Sequence, residues 1–341
     1  MQRCLQLAVM GAGAVAPNPM VGAVLVYNYR IIGEGYHQKN GEAHAEVNCI
    51  NSVAEADKGL IESSTLYVSL EPCAHFGKTP PCADLIINNK IPNVVIGCRD
   101  SFAAVNGKGI ERLQAAGVQV VLGILEDECR ELNKRFFTFN EKLRPYIILK
   151  WAQNSDGKIG AGNGERVFIS NEFTNRLVHK WRTEEAAIMV GTNTALLDDP
   201  ALTARLYTGN NPVRLVIDMD LKLPSSLQLF DGSVKTIVFN EHKQEAGEML
   251  SFYRIDKDEA FIPQILNALY KLQLQSVIIE GGAKLLQSFI NENAWDEARV
   301  ISNTDMKIGE GINAPILQHQ KQVKEENIRA DSIAYFINSK A

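Results

Sequence analysis

The chain has 341 residues, of which 45% are hydrophobic and 22% charged, and a formal net charge of −5. That is the composition of an ordinary soluble globular protein, long enough for two domains of roughly 150 residues. No Lys/Arg block points to a nucleic-acid surface, and no apolar run approaches the ~18 residues that span a bilayer.

The first residues, MQRCLQLAVMGAGAVAPNP, imitate a secretory signal, with one Arg, a short apolar run and an A-x-A at Ala14-Val15-Ala16. A single charge, the interruption at Gln6 and the following PNPMVGAVLV, which needs a helix to pack on, argue instead for a cytoplasmic protein. Residues 2–11 read as that helix. Strands follow at Val21–Val26 and Ile31–Tyr36 around a turn at Tyr27-Asn28-Tyr29-Arg30, then a helix from His44 to Lys58. Thr65–Leu70 reads as a strand, Ala83–Asn89 as a helix and Val94–Cys98 as a strand. Gly109–Ala116 reads as a helix closed by Gly117, and Val118–Leu122 as a further strand. Such alternation predicts an α/β layer fold with covered sheet faces.

The polar, proline-bearing segment NEKLRPY at 140–146 is the expected domain boundary, dividing the chain into 1–143 and 144–341. Alternation then restarts. Strands are expected at Ile147–Lys150, Ala187–Val190, Val213–Ile217, Lys235–Phe239 and Ser276–Glu280, and helices at Asn171–Arg182, Phe261–Lys271 and Gly282–Asn291.

Six unevenly spaced cysteines do not make a disulfide framework, and in a reducing compartment closely spaced ones read as metal ligands or catalytic thiols. Two of them, Cys73 and Cys82, flank a loop of eight residues in EPCAHFGKTPPC. Upstream, GEAHAEVNCI sets His44 and Glu46 two apart at a helix start. Residues two apart on a continuing helix diverge, so both can serve one site only if it lies off the helix N-terminus. An H-x-E followed by P-C and a further Cys is the zinc deaminase pattern: one His and two Cys hold Zn²⁺ and a non-ligand Glu moves protons. Zinc takes imidazole and thiolate, a catalytic site keeps a fourth position for water, and the metal draws that water's pKa towards ~7. Thr79 reads as the N-cap of the helix after Pro80-Pro81, which would set Cys82 at a helix N-terminus, where the dipole favours thiolate. The long loop also brings His75 and Lys78 near the metal side. A structural zinc site, the competing reading, has four closed protein ligands, and here there are three. Cys4, Cys49, Cys98 and Cys129 read as ordinary core or surface residues.

In the second half no G-x-G-x-x-G follows a strand, so a Rossmann domain is not expected. In SVIIEGGAKLLQSFI a β-rich run meets Gly281-Gly282 and a helix, whose free N–H groups suit a cofactor phosphate.

Taken together, PNPMVGAVLV, GYHQKNGEAHAEVNCI, SLEPCAHFGKTPPCADLII, NGKGIERLQAAGVQV, LKWAQNSDGKI, HKWRTEEAAIMVGTNTALLDDPALTAR and VIIEGGAKLLQSFI resemble the bifunctional deaminase/reductases of riboflavin biosynthesis. The resemblance covers nearly the whole chain, densely in the first half. It implies a cytidine-deaminase-like three-layer domain followed by a dihydrofolate-reductase-like domain. The implied reactions are zinc-dependent deamination of 2,5-diamino-6-(5-phosphoribosylamino)pyrimidin-4-one and then NADPH reduction of the product's ribosyl group to ribityl. It further implies His44, Cys73 and Cys82 as zinc ligands, Glu46 as proton shuttle, and Asn18, His37 and His75 as the lining of the deaminase pocket. At family cofactor positions stand Ala152, Phe168, Thr194, Asp198, Gly282, Ala283, Lys284, Leu285, Leu286, Gln287 and Ser288. At reductase substrate positions stand Arg166, Arg182, Leu202, Arg205 and Glu280. Two arginines on one pocket would suit a phosphate-bearing substrate. Asp156 reads as a turn or a pocket residue, and Ser170 and Asn171 as helix caps.

This chain departs from the family pattern in three places: Asp100-Ser101-Phe102-Ala103-Ala104 instead of D-P-N-P, Arg166 and Phe168 instead of Ser and Trp, and ISNTDMKIGEGINAP without the usual apolar run. A small-molecule ribotide is the expected partner, with the chain forming a homo-oligomer. The competing functions are a zinc deaminase of another base with a degenerate second domain, and a zinc-stapled binding protein without turnover.

Overall fold

A computed structural model describes residues 1–76, 80–102, 105–162 and 166–341. The chain divides into two compact units, Met1–Leu143 and Arg144–Ala341.

The first unit runs α1 (Gln2–Val9), β1 (Gly22–Tyr27), β2 (Arg30–Tyr36), α2 (Ala45–Asn51), β3 (Thr65–Leu70), α3 (Cys82–Asn88), β4 (Asn93–Cys98), α4 (Lys108–Ala115), β5 (Gln119–Leu122), α5 (Glu126–Leu132) and α6 (Lys134–Lys142). Its five strands lie in the order β2-β1-β3-β4-β5. The pair β1–β2 is antiparallel, turned by Asn28 and Tyr29 at positive φ (44° and 62°), while β3, β4 and β5 run parallel. Alternation on β1 shows why the unit has three layers. Ala23 and Leu25 face a core built with Ala45 and Cys49 of α2, Ile86 of α3 and Leu113 of α4. Val24 faces Cys4 and Leu7 of α1 on the other side. The N-terminal segment is thus part of the core. Cys98, Cys129, Phe136 and Phe137 fill the rest of the α1 side.

The helix expected over His44–Lys58 is shorter. It ends at Asn51, where the Ser52 hydroxyl donates to the Cys49 carbonyl (2.7 Å) and accepts from the Glu34 N–H (2.8 Å). A serine that bonds locally in this way competes with helix continuation, and Glu55–Ser63 winds as a 3₁₀ helix instead. Helices α5 and α6 were not expected from the sequence: α5 buries only Cys129, too little to show a period.

The second unit runs β6 (Tyr146–Asn154), β7 (Lys158–Ala161), α7 (Glu172–Glu184), β8 (Ala187–Gly191), α8 (Thr192–Asp198), β9 (Val213–Ile217), β10 (Thr236–Asn240), β11 (Leu250–Arg254), α9 (Phe261–Lys271), β12 (Ser276–Ile279), α10 (Ala283–Asn291), β13 (Glu297–Asn303), β14 (Gly311–Asn313), β15 (Gln320–Ile328) and β16 (Asp331–Asn338). Nine strands form one sheet in the order β11-β10-β9-β8-β12-β6-β13-β16-β15, and β7 pairs with β14 separately. Seven of the nine, β11 to β13, run parallel, and β16 and β15 close one edge antiparallel. Parallel strands are covered on both faces and read as continuous apolar runs. Ile147 and Leu149 of β6, Met189 of β8 and Ile279 of β12 face Ile265 of α9 and Phe289 of α10. The intervening Ile148, Ile188 and Ile278 face Val178 and Trp181 of α7. Each such fully buried side chain contributes about 1.5–3 kcal/mol. The last strands were the least legible: β15, QKQVKEENI, is almost wholly exposed and shows no alternation.

Candidate active sites

In the first unit the sheet delivers three ligating side chains to one point. His44 is the N-cap of α2, with extended backbone (φ −72°, ψ 166°), and Glu46 sits in the first turn. The chain is therefore still turning between them, and both can face one place off the helix end. Cys73 lies just beyond β3, and Cys82 opens α3 with Pro81 at the N-cap. Thr79 and Lys78 lie outside the described residues. The ligating atoms of His44, Cys73 and Cys82 fall within 4.8 Å of one another. His44 Nδ1 is 3.6 Å from Cys73 Sγ and 3.3 Å from Cys82 Sγ. Tetrahedral zinc, with Zn–S and Zn–N bonds of roughly 2.3 and 2.0 Å, separates N from S by about 3.6 Å, so the donor set and its spacing fit that ion.

The two thiols are not alike. The Cys82 thiol hydrogen-bonds the Cys73 sulfur and, with His44, holds Cys73 well below the ordinary thiol range. That same bond, together with burial, pushes Cys82 up. A preference for thiolate at Cys82 was expected from its helix position. Both sulfurs would hold zinc as thiolates, and the Cys82 N–H donates to Cys73 Sγ (3.3 Å). Glu46 is buried, and burial, then the neighbouring Cys73, raise its carboxyl above the usual range.

Beside the cluster, Asn18 follows a cis Ala16–Pro17 bond. Its amide Nδ2 lies 3.1 Å from His37 Nε2, while His37 Nδ1 lies 3.0 Å from the Ala43 carbonyl. The carbonyl can only accept, so Nδ1 carries the proton and Nε2 accepts from Asn18. The His37 ring stands edge-on to His44, 5.4 Å between centroids. His37 is buried. His75 lies against Phe102, 6.1 Å between centroids.

In the second unit the parallel strands and the loops beyond them gather a different set. Glu280, after β12, receives Nε and Nη2 of Arg182 from α7 (2.8 and 2.7 Å), and Lys150 Nζ of β6 lies 3.5 Å away. Burial alone would raise the Glu280 carboxyl, but Arg182 and Lys150 more than offset it and hold it down to about 2. Lys150 was not singled out from the sequence. Its signal was a lone lysine in the apolar run YIILKW, which must be paired when that strand is central. Arg182 Nη1 also donates to the Thr203 carbonyl (2.9 Å), so Arg182 braces the loop carrying Leu202 and Arg205. The two arginines expected to clasp a phosphate thus differ: Arg182 is committed to Glu280, whereas Arg205 is exposed. Leu202 is buried at positive φ (50°).

Helix α10 begins after Gly281 and Gly282. A Cβ at Gly281 would lie 2.7 Å from Thr194 Cγ2, so Thr194 of α8 rests directly on the glycine pair. Gly282, the N-cap, has φ +75°. The amides of Ala283, Lys284 and Leu285 are in the first turn, the geometry that suits a dinucleotide phosphate. Beyond it the side chains are engaged: Leu285 and Leu286 are in the core, Gln287 Oε1 accepts from the Ile316 N–H (2.9 Å) and Ser288 donates to the Lys284 carbonyl (2.9 Å). Arg166 lies over the exposed Phe168 ring (4.7 Å) and donates to the Asp198 carbonyl (3.1 Å). Ala152 lies on β6, half-buried. Asp156 is a turn residue whose carboxylate accepts from the N–H groups of Ile308 and Gly309, and Asn171 caps α7, accepting from Phe173 and Thr174 N–H.

Comparison with known proteins agrees with these geometries. Residues 1–98 match the family model of the cytidine and deoxycytidylate deaminase zinc-binding region, and residues 145–337 match the RibD C-terminal domain. The chain is 38% identical to a riboflavin biosynthesis protein RibD of Aquifex aeolicus, covering 98% of this chain and 97% of the relative. To that of Escherichia coli it is 34% identical, with 87% and 84% covered. A solved diaminohydroxyphosphoribosylaminopyrimidine deaminase/5-amino-6-(5-phosphoribosylamino)uracil reductase from Thermotoga maritima superposes with a TM-score of 0.90 at 36% identity, over 99% of this chain and 97% of that one. These matches cover both units of the chain, and the chain belongs to the RibD family of bifunctional riboflavin-biosynthesis deaminase/reductases.

Proposed function

We propose that residues 1–143 deaminate 2,5-diamino-6-(5-phosphoribosylamino)pyrimidin-4-one and that residues 144–341 reduce the ribosyl group of the product to ribityl. The observation that carries the first step is the convergence of His44, Cys73 and Cys82 beside a buried Glu46. His44, Cys73 and Cys82 would hold a Zn²⁺ ion, which when bound would supply the Lewis acidity that makes water nucleophilic near neutral pH. Glu46 takes the proton that water loses and returns it to the departing amine, so that a C–N bond breaks, a carbonyl forms and ammonia leaves. Asn18, oriented by His37, presents its amide to the pyrimidine edge.

In the second unit NADPH supplies the hydride, and the protein contributes binding and electrostatics. The amides opening α10 take a cofactor phosphate beside Thr194, which packs on Gly281, and Asp198, Ala152 and Phe168 are read as further cofactor contacts. Glu280, kept anionic by Arg182 and Lys150, is the hydrogen-bond acceptor for the sugar, and Arg205 is the guanidinium available to the substrate phosphate. The Cys/His metal cluster suits a reducing, cytoplasmic setting, and copies of the chain are read as pairing into a homo-oligomer.

The test is a paired assay on zinc-loaded protein with the diaminopyrimidine ribotide, following ammonia and NADPH together, with NADPH omitted in one arm. Ammonia without NADPH, and NADPH consumption once product exists, is the expected result. Ammonia with no NADPH oxidation would leave only the deaminase half of the reading standing, and no ammonia would overturn the substrate assignment.

A further inference from the structure

One carboxylate ties the metal turn to the segment after β4. Glu71 is buried, two residues before Cys73. Its Oε2 accepts from the N–H groups of Gly107 (2.9 Å) and Asp100 (3.3 Å), and its Oε1 from those of Gly109 (2.9 Å) and Ile110 (3.3 Å). A helix cap satisfies one or two donors at one end. Here the donors come from both ends of the 100–107 connection, which carries Phe102. Packing follows the same line. A Cβ at Gly109 would lie 1.9 Å from the Pro72 carbonyl oxygen, so only glycine permits this approach. Arg112 donates to the Ala74 carbonyl (3.1 Å) and pairs with Asp84 (2.6 Å). The Phe102 ring, partly exposed, rests on His75 of the metal turn.

We propose that Glu71 is a positioning residue of the deaminase site. It pins both ends of the connection after β4 to the metal turn, and so holds Phe102 beside His75 as a wall against which the substrate's ring is placed. The NGKG of the sequence is then the complement of the EPC, supplying the amides and the close approach that the clamp requires. The proposal rests on the deaminase reading of this site.

Glu71→Gln places an NH₂ against backbone donors and breaks the clamp without removing a ligand. We expect zinc content to stay at wild-type level and reductase turnover on the deaminated product to stay within about twofold. Exchange of the amides in peptides spanning 99–112 should quicken by about tenfold or more. The deaminase KM should rise about tenfold while kcat stays within about threefold. Phe102→Ala should reproduce the KM rise with amide exchange unchanged, and the double variant should add nothing further. Unchanged exchange and KM would overturn the proposal. So would joint loss of zinc and kcat, which would make Glu71 a support of the ligands alone, or a lowered melting temperature with normal kinetics, which would make it a structural cap. Zinc-loaded wild type that releases no ammonia would overturn the deaminase reading and this role with it, and normal exchange behaviour of Glu71→Gln distinguishes the two failures.

Discussion

Each unit buries a glutamate at its candidate site, and the two are driven in opposite directions. Glu46 loses its hydration beside Cys73 and Cys82, and its carboxyl is raised. Glu280 loses hydration just as completely, yet is held down to about 2 because Arg182 and Lys150 face it. Burial opposes charge in both, and the neighbours decide the sign. The chemistry divides accordingly. A carboxyl among soft ligands is fitted to pick up and release a proton, whereas one locked between two cations is a fixed negative charge. The first unit must move protons with its own side chains, and the second leaves the transferred hydride to its cofactor.

The sharpest way to break this contrast is Glu46→Ala. Ammonia release should fall by about 10²- to 10⁴-fold, the usual contribution of a positioned acid–base group, with zinc retained. Reductase turnover on the deaminated product should not change. A fall in both activities would show that the units do not act separately. Next in size, Arg182→Ala leaves Glu280 buried with its strongest partner gone. Removing one member of such a pair costs about 3–5 kcal/mol, so thermal unfolding of the second unit should drop sharply while ammonia release persists below that transition. Ammonia release lost in step would contradict the division.

Acid sharpens the same point. Glu280 has a folded value near 2, against roughly 4.3 in an unfolded chain. Because the folded value is depressed, its contribution is fully present above the unfolded value and is lost as pH falls from about 4 towards 2. Trp151, Trp181 and Trp295, all three tryptophans of the chain, lie in the second unit, so tryptophan fluorescence follows that unit alone. Wild type should show an acid transition in this window that Glu280→Gln lacks. The smallest effect is expected at Arg205, which is exposed. Arg205→Ala should leave stability within about 0.5 kcal/mol and raise the reductase KM for the ribotide, without touching the KM for ammonia release.

How far the fold was legible follows burial. The parallel strands Val213–Ile217 and Ser276–Ile279 read directly, because a strand covered on both faces is a near-continuous apolar run, here broken by Arg214 and Ser276. α5, β7 and β15 did not, since each buries too little for a period to emerge. The helix Thr192–Asp198 buries a single alanine and likewise shows no period.

The sites divide in the same way. By itself the sequence singled out His44, Cys73 and Cys82 as candidate metal ligands, because zinc accepts few residue types and an H-x-E can converge only off a helix end. It also marked the glycine pair that opens α10, where Gly282 has φ +75° and Thr194 packs on Gly281. Only the tertiary structure decided that Arg182 is held by Glu280, that Lys150 is its third partner, and that Glu71 gathers four amides from both ends of the 100–107 connection. Those outcomes depend on hydrogen bonds and ion pairs between residues 29 to 130 positions apart. Such distances are set by how strands order in the sheet, and no local pattern of residue types encodes them.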